Sequence, residues 1–158
     1  MIQAYIGFGA NLANPRKMLL RVVETLAEQG LIIEDVSPLY RSPAWPAGNS
    51  APDYLNAVLS VRFVGNPNDL MTVLLGVERA LGRRRSTPNA PRVVDLDLLD
   101  VPGVTQNTDH LTLPHPRLDD RAFVLLPLRD VASGWEHANG RTISQLIQRA
   151  DCSQTHRV

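Results

Sequence analysis

The run Pro91-Arg92-Val93-Val94-Asp95-Leu96-Asp97 sets two carboxylates alternately among apolar β-formers, with an arginine just upstream. As a strand, its period of two puts Asp95 and Asp97 on one face and Val94, Leu96 and Leu98 on the other. Two residues along a strand separate Cα atoms by about 6.5 Å. At that spacing both carboxylates can hold hard divalent cations and, through them, a polyphosphate. Two unpaired buried charges are too costly for plain core, so the competing reading is an exposed strand with solvated aspartates. The basic loop Arg83-Arg84-Arg85 to Arg92 bears on that choice. Arginine makes bidentate contacts to phosphate, and phosphoryl transfer is catalysed by positioning and charge stabilisation. Bound cations would invert the repulsion between the aspartates and a phosphate. Arg92, held beside the strand by Pro91, is the strongest phosphate candidate, whereas Arg84 fits a solvated loop.

A second polar set lies in Pro114-His115-Pro116-Arg117-Leu118-Asp119-Asp120-Arg121-Ala122-Phe123. His115 is conformationally restricted between two prolines, yet a lone histidine is as readily a hydrogen-bonding loop residue. Phe123, by type alone, is core. Other signatures are missing. No Gly-x-x-x-x-Gly-Lys-Ser/Thr occurs, and Lys17 is the only lysine. Gly7-Phe8-Gly9 follows a strand, but the third glycine of a dinucleotide fingerprint would fall at Leu12. There is no Gly-x-Ser-x-Gly elbow. The single Cys152 excludes an intrachain disulfide or a cysteine zinc site and lies in an expected tail.

The elements that must position these groups follow from the pattern. Ile2 to Phe8 reads as a strand and Asn14-Pro15 as a helix start, with an apolar stripe through Met18, Val22 and Leu26 ending near Gly30. Leu31 to Val36 reads as a second strand continuing toward Tyr40. Arg41 to Asp53, with three prolines and one glycine, is a long loop of the kind that is usually functional. Tyr54 to Phe63 is a third strand, and Asn66-Pro67 opens a helix through Leu70, Leu74, Val77 and Leu81 to Gly82. Val93 to Leu99 is the fourth strand. Leu111 to Leu113 reads as a short extra strand, Asp119 to Asp130 as a helix, and Ile143, Leu146 and Ile147 as a short final helix. The expected fold is therefore α+β. It has a ferredoxin-like β-α-β-β-α-β core, additional C-terminal strands and helices, and three α/β/α layers.

At 158 residues the chain fits a single domain, 1–158, and such a domain buries roughly 70% of its unfolded surface. Sixteen basic and sixteen acidic residues cancel, which argues against a nucleic-acid or membrane-surface protein bound by bulk electrostatics. The absence of a long apolar run and of a basic leader points to a soluble, cytoplasmic protein.

In order along the chain, a set of motifs resembles the 6-hydroxymethyl-7,8-dihydropterin pyrophosphokinase family, from Ala4 to about Ala132. They are Tyr5-Ile6-Gly7-Phe8-Gly9-Ala10-Asn11-Leu12, Tyr40-Arg41-Ser42-Pro43, Pro52-Asp53-Tyr54-Leu55-Asn56, Glu78 with Gly82-Arg83, Pro91 to Asp97, and Leu113-Pro114-His115 with Arg121 and Phe123. The resemblance implies a folate-pathway diphosphotransferase, a monomer with ATP and the hydroxymethyl-dihydropterin as substrates, giving AMP and the pterin diphosphate. It implies two Mg2+ ions on Asp95 and Asp97, and Arg83 and Arg92 neutralising charge on the transferred group. Arg85, Arg121 and His115 would add nucleotide phosphate contacts, with Glu78, Leu98 and Thr112 near the nucleoside. Tyr54 and Phe123 would sandwich the pterin, and Asn56 with the Ser42, Pro43 and Trp45 segment would read its polar edges. On this basis Phe123 becomes a stacking platform instead of core. The chain departs from the family at Asn89, where an aromatic is frequent, and at Ala90, where glycine is frequent. The rival reading is a non-catalytic ferredoxin-like nucleotide- or RNA-binding module, which calls for aromatics on its central strands and a basic face.

Overall fold

A computed structural model describes residues 1–11, 14–44, 52–82 and 94–158. Strand β1 (Ile2–Ala10) leads into helix α1 (Pro15–Glu28), where the Asn14 side chain accepts from the Lys17 amide at 3.2 Å and proline occupies the first turn. This satisfies one of the amides that a helix start leaves without a partner. Helix α2 (Pro67–Ala80) repeats the device, with Asn66 accepting from the Asp69 amide at 2.8 Å. Gly82 follows at φ +96°, a left-handed turn that glycine enters without strain.

Between the helices lie β2 (Ile32–Val36), β3 (Tyr40–Ser42) and β4 (Tyr54–Phe63). The single strand expected from Leu31 toward Tyr40 is thus two. Pro38 has no N–H to give a ladder. Ser37 takes over locally, donating its amide to the Val58 carbonyl and accepting the Val58 amide on its hydroxyl, both at 2.9 Å. Strand β5 (Asp95–Asp100) follows, then a small hairpin of β6 (Gln106–Asn107) and β7 (Thr112–Leu113). The helix expected from Asp119 is divided. A 3-10 turn at Leu118–Asp120 gives way to extended backbone at Arg121, and α3 then runs Ala122–Val131. Helix α4 (Ile143–Arg149) opens on a reciprocal capping box between Thr142 and Gln145. The residues beyond it, expected to be a tail, add strand β8 (His156–Arg157) to the edge of β3.

The large sheet runs β5-β1-β4-β3-β8, with β2 also pairing β4, and its pairings are antiparallel. β4 therefore splits β1 from β2, and β5 closes the other side of β1, the ferredoxin-like order expected. Strand parity builds the layers. Ala4, Ile6, Phe8 and Ala10 join Ala57, Leu59, Val61 and Phe63, and Val94, Leu96 and Leu98, in one core under α1 and α2. Tyr5, Val58 and Leu99 face the other way into a smaller core with Leu125 and Leu128 of α3 and Ile143 and Leu146 of α4. The β1–β5 register slips by one residue, pairing Ile6 with Leu98 but Tyr5 with Asp100. Such a bulge lets two successive residues serve one face. Leu99 enters the smaller core, and the buried Asp100 carboxylate accepts the Trp135 indole N–H at 2.8 Å.

Candidate active site

Asp95 and Asp97 lie half-buried on the α3 side of β5, while Leu96 and Leu98 are buried on the other, as the alternation of the sequence requires. The strand is held in place from its outer edge. Glu78 of α2 is 2% exposed, and its carboxylate accepts the amide of Leu96 at 2.7 Å, between the two aspartates. An edge strand otherwise leaves such amides without a ladder partner.

Moving inward across the sheet, Gly9 pairs with Asp95 on one side and Asn56 on the other, and Gly7 pairs with Asp97 and Val58. Directly paired residues share a face, so two glycines form the floor between the carboxylates and the amide. Two strand spacings separate β5 from β4 by about 10 Å. Side chains on that floor would fill the gap: a Cβ on Gly7 would stand 3.3 Å from Leu99 Cδ2, and one on Gly9 would stand 3.4 Å from Asn56 Oδ1. The weak dinucleotide-like spacing Gly7-Phe8-Gly9 thus has a different cause, an open floor in mid-sheet.

At the far side of the floor, Asn56 is buried and its Nδ2 donates to Ser42 Oγ at 2.8 Å and to the Tyr40 carbonyl at 3.2 Å. With its donor end committed to β3, Asn56 turns its carbonyl oxygen toward Gly9. β3 is in turn fixed to α3 by a hydrogen bond from the Tyr40 hydroxyl to Asp130; burial first, then this hydrogen bond, raises the Tyr40 pKa to about 12 and keeps the phenol protonated.

These groups line one cavity of about 570 Å3, bounded by Ser42, Pro43, Tyr54, Asn56, Asp95, Asp97, Arg121 and Phe123 among others. That volume suits a small-molecule site. Extended backbone at Arg121 presents its guanidinium 5.5 Å from the centre of the Phe123 ring, within cation–π range. Burial and the neighbouring Arg117 lower the Arg121 pKa, while Asp97, Asp120 and Asp95 oppose that shift. One cation therefore feels both aspartates and stacks on the aromatic wall. His115 donates its amide to the Leu99 carbonyl at 2.7 Å, and its Nδ1 accepts from the Arg117 amide at 3.3 Å. That bond leaves the proton on Nε2. Burial first, then Arg121, lowers the His115 pKa, with Asp95 opposing, so the ring is neutral at pH 7.

Of the residues singled out from sequence, Ser42, Pro43, Tyr54, Asn56, Asp95, Asp97, Arg121 and Phe123 meet in the cavity. Glu78, Leu98, Thr112 and His115 are not among its lining residues. Leu98 has its side chain in the larger core, Glu78 supports β5, and the Thr112 hydroxyl donates to Asn107 at 3.3 Å. Trp45, Arg83, Arg85 and Arg92, with Asn89 and Ala90, lie outside the described residues. Sequence reasoning missed Arg117, Asp120 and the segment with Asp151, Gln154 and Thr155, all of which line the cavity. Arg117 and Asp120 sat inside a motif already singled out, whereas nothing local marks the last three.

The donor set suits a hard cation. Two carboxylates on one strand face open into a cavity, and among the described residues no group of three or more potential protein ligands gathers. Mg2+ binds in this way, through one or two carboxylates plus phosphate oxygens and waters.

A family model described as 7,8-dihydro-6-hydroxymethylpterin-pyrophosphokinase (HPPK) matches residues 5–133. The 2-amino-4-hydroxy-6-hydroxymethyldihydropteridine pyrophosphokinase of Methylorubrum extorquens is 36% identical over 160 residues, spanning 100% of this chain and 99% of the relative. That of Synechocystis sp. is 36% identical over 152 residues, spanning 95% and 77%. The wild-type HPPK-DHPS of Plasmodium falciparum superposes with a TM-score of 0.71 at 14% identity, over 99% of this chain but 47% of that longer one, a likeness of fold.

Proposed function

The chain belongs to the 7,8-dihydro-6-hydroxymethylpterin-pyrophosphokinase family, and from that premise we propose how its cavity performs the reaction. The enzyme is a diphosphotransferase of folate biosynthesis, moving the pyrophosphoryl group of ATP to 6-hydroxymethyl-7,8-dihydropterin and releasing AMP. The hydroxymethyl oxygen attacks the β-phosphorus, and the bond from that phosphorus to the α,β-bridging oxygen breaks.

The reading rests on one observation: the Asp95–Asp97 face and the Tyr54–Asn56–Phe123 group share a cavity across a floor of glycine. Tyr54 and Phe123 hold the pteridine between them, since a planar heterocycle gains both buried area and stacking from aromatic faces. Asn56, its donor end already bound to β3, accepts a hydrogen bond from an N–H of the ring. Ser42 and Pro43 border the same edge, and the resemblance implies that Trp45 would help read it. Asp95 and Asp97 would hold two Mg2+ ions, which supply Lewis-acid neutralisation of phosphate charge. Arg121 contacts the phosphates from the Phe123 side. Arg83 and Arg92 neutralise the transferred group, and Arg85 and His115 contact nucleotide phosphates, as the resemblance implies. Neutral His115 does so as a donor through Nε2–H. Glu78 acts on the nucleotide side by holding the β5 backbone at Leu96, while a place near the nucleoside for Leu98, whose side chain is in the larger core, and for Thr112 is what the resemblance implies.

Residues 1–158 act as one domain in this reading, because both cores pack on the same sheet. The protein works as a cytoplasmic monomer; among the described residues no helix is long and apolar enough to cross a membrane. The non-catalytic binding module is not favoured, since carboxylates occupy the face where such a module needs basic and aromatic groups.

The deciding experiment incubates the protein with Mg2+, ATP and the pterin and resolves the nucleotide products. AMP that forms only when pterin is present is the expected result. ADP, or no turnover, overturns the assignment.

A further inference from the structure

The cavity has a wall that none of the motifs anticipates. After α4 the chain turns at Asp151, whose carboxylate accepts the Ser153 amide at 2.9 Å, and the Thr155 amide then donates to the Cys152 carbonyl at 3.3 Å. The compact turn carries Asp151, Gln154 and Thr155 to the cavity lining. The chain next becomes β8, pairing His156 with Arg41 and Arg157 with Tyr40, and the Val158 amide donates to the Leu39 carbonyl at 2.9 Å. The turn is therefore anchored to β3, the strand whose Tyr40 carbonyl and Ser42 hydroxyl hold the Asn56 amide.

The strand order decides which substrate this wall faces. From β5 to β8 there are four strand steps, about 19 Å at the usual spacing. The carboxylates sit at one end of that span, and the turn leads onto the other, next to Ser42, Asn56 and Tyr54. A polar wall there meets the heterocycle, not the triphosphate. Its chemistry also fits. Asn56 offers the cavity an acceptor, whereas a pteridine edge presents donors and acceptors in alternation. A carboxamide and a hydroxyl each supply both.

We infer that the 151–155 turn is the outer wall of the pteridine compartment, and that Gln154 and Thr155 are specificity-determining residues meeting ring atoms that Asn56 leaves unaddressed. This rests on the assignment of that end of the cavity to the pterin. β8 makes the wall part of the sheet edge, so the same backbone ladder that covers β3 also sets the distance from Gln154 and Thr155 to the ring.

The test is a Gln154→Ala/Thr155→Val double variant, which keeps the β8 ladder, alongside a chain lacking residues 151–158 and a Tyr54→Ala reference. KM is measured for pterin and for ATP separately, with pterin binding to the free enzyme followed by calorimetry and folding by circular dichroism. For the double variant, KM and the dissociation constant for pterin should rise about tenfold, equivalent to ~1.4 kcal/mol, with KM for ATP changed less than twofold. Unchanged pterin constants in a folded double variant overturn the proposal, as does an equal loss for both substrates. If Tyr54→Ala weakens pterin binding while the double variant does not, the wall alone is wrong. If neither does, the assignment of the compartment itself fails. Should the shortened chain not fold, the double variant decides.

Discussion

Toward α1 and α2 the strands present Ala4, Ile6, Phe8 and Ala10, Ala57, Leu59, Val61 and Phe63, and Val94, Leu96 and Leu98, all buried. Toward α3 and α4 the same strands present Tyr5, Gly7 and Gly9, then Tyr54, Asn56 and Val58, then Asp95, Asp97 and Leu99. The first set is packed by two long helices into one apolar core. In the second, only Tyr5, Val58 and Leu99 are covered with α3 and α4, and the remainder opens into the cavity. Alternation along a strand thus lets one element serve stability and chemistry at once, because away from the β5 bulge neighbouring residues face different surroundings. The helix-facing residues can be optimised for packing while their sequence neighbours stay polar or absent.

Breaking the polar side should have the largest effect. Asp97→Asn keeps the shape of the side chain and removes the negative charge from the cavity. Steady-state AMP formation should fall at least ~100-fold, the scale on which loss of one charge-stabilising group acts. The melting temperature should be close to wild type. Wild-type turnover would remove Asp97 from the reaction.

Breaking the apolar side should move stability instead. Leu74 is fully buried in α2, and Leu74→Ala should cost about 2–5 kcal/mol through lost transfer energy and the cavity left behind. Urea unfolding measures the cost. The rate per folded molecule should stay close to wild type at a temperature where the variant is folded, and a large loss of rate would show that the two faces are coupled.

A smaller effect should come from Asp100, where the bulge turns a carboxylate into the smaller core. Burial raises its pKa above the ordinary carboxylate value, with the Trp135 hydrogen bond and His137 opposing. The folded state therefore keeps the proton to higher pH than the unfolded state. The stabilisation this gives is complete below about pH 4 and is lost as pH rises through the raised value. Asp100→Asn retains a carbonyl for the Trp135 N–H and removes the titration. In urea midpoints, the variant should gain on wild type as pH rises from about 4. Parallel profiles would contradict the raised pKa.

Much of this architecture is legible in local pattern. The Asn14-Pro15 and Asn66-Pro67 helix starts, the stripes of α1 and α2 and the alternation of β5 depend on residues a few positions apart, and each appears where its spacing predicts. Boundaries failed where a tertiary demand intervened. Ser37 breaks the expected second strand by binding Val58, and Arg121 adopts extended backbone between the 3-10 turn and α3, delaying the helix to Ala122. Phe123 shows the limit for the site itself. Its type alone says core, a resemblance to a family made it a ligand platform, and the fold puts it half-buried on the cavity wall beside Arg121.

The sequence by itself determined which residues share a face: Asp95 with Asp97, Leu96 with Leu98, Gly7 with Gly9. That follows from the two-residue period of a strand and needs no partner. The tertiary structure alone decided which faces meet. Gly9 lies between Asp95 and Asn56, Glu78 caps the Leu96 amide, and Asp151, Gln154 and Thr155 join the cavity lining. These neighbours are 18 or more positions apart in the chain. Sheet register and burial bring them together, and no local spacing records either.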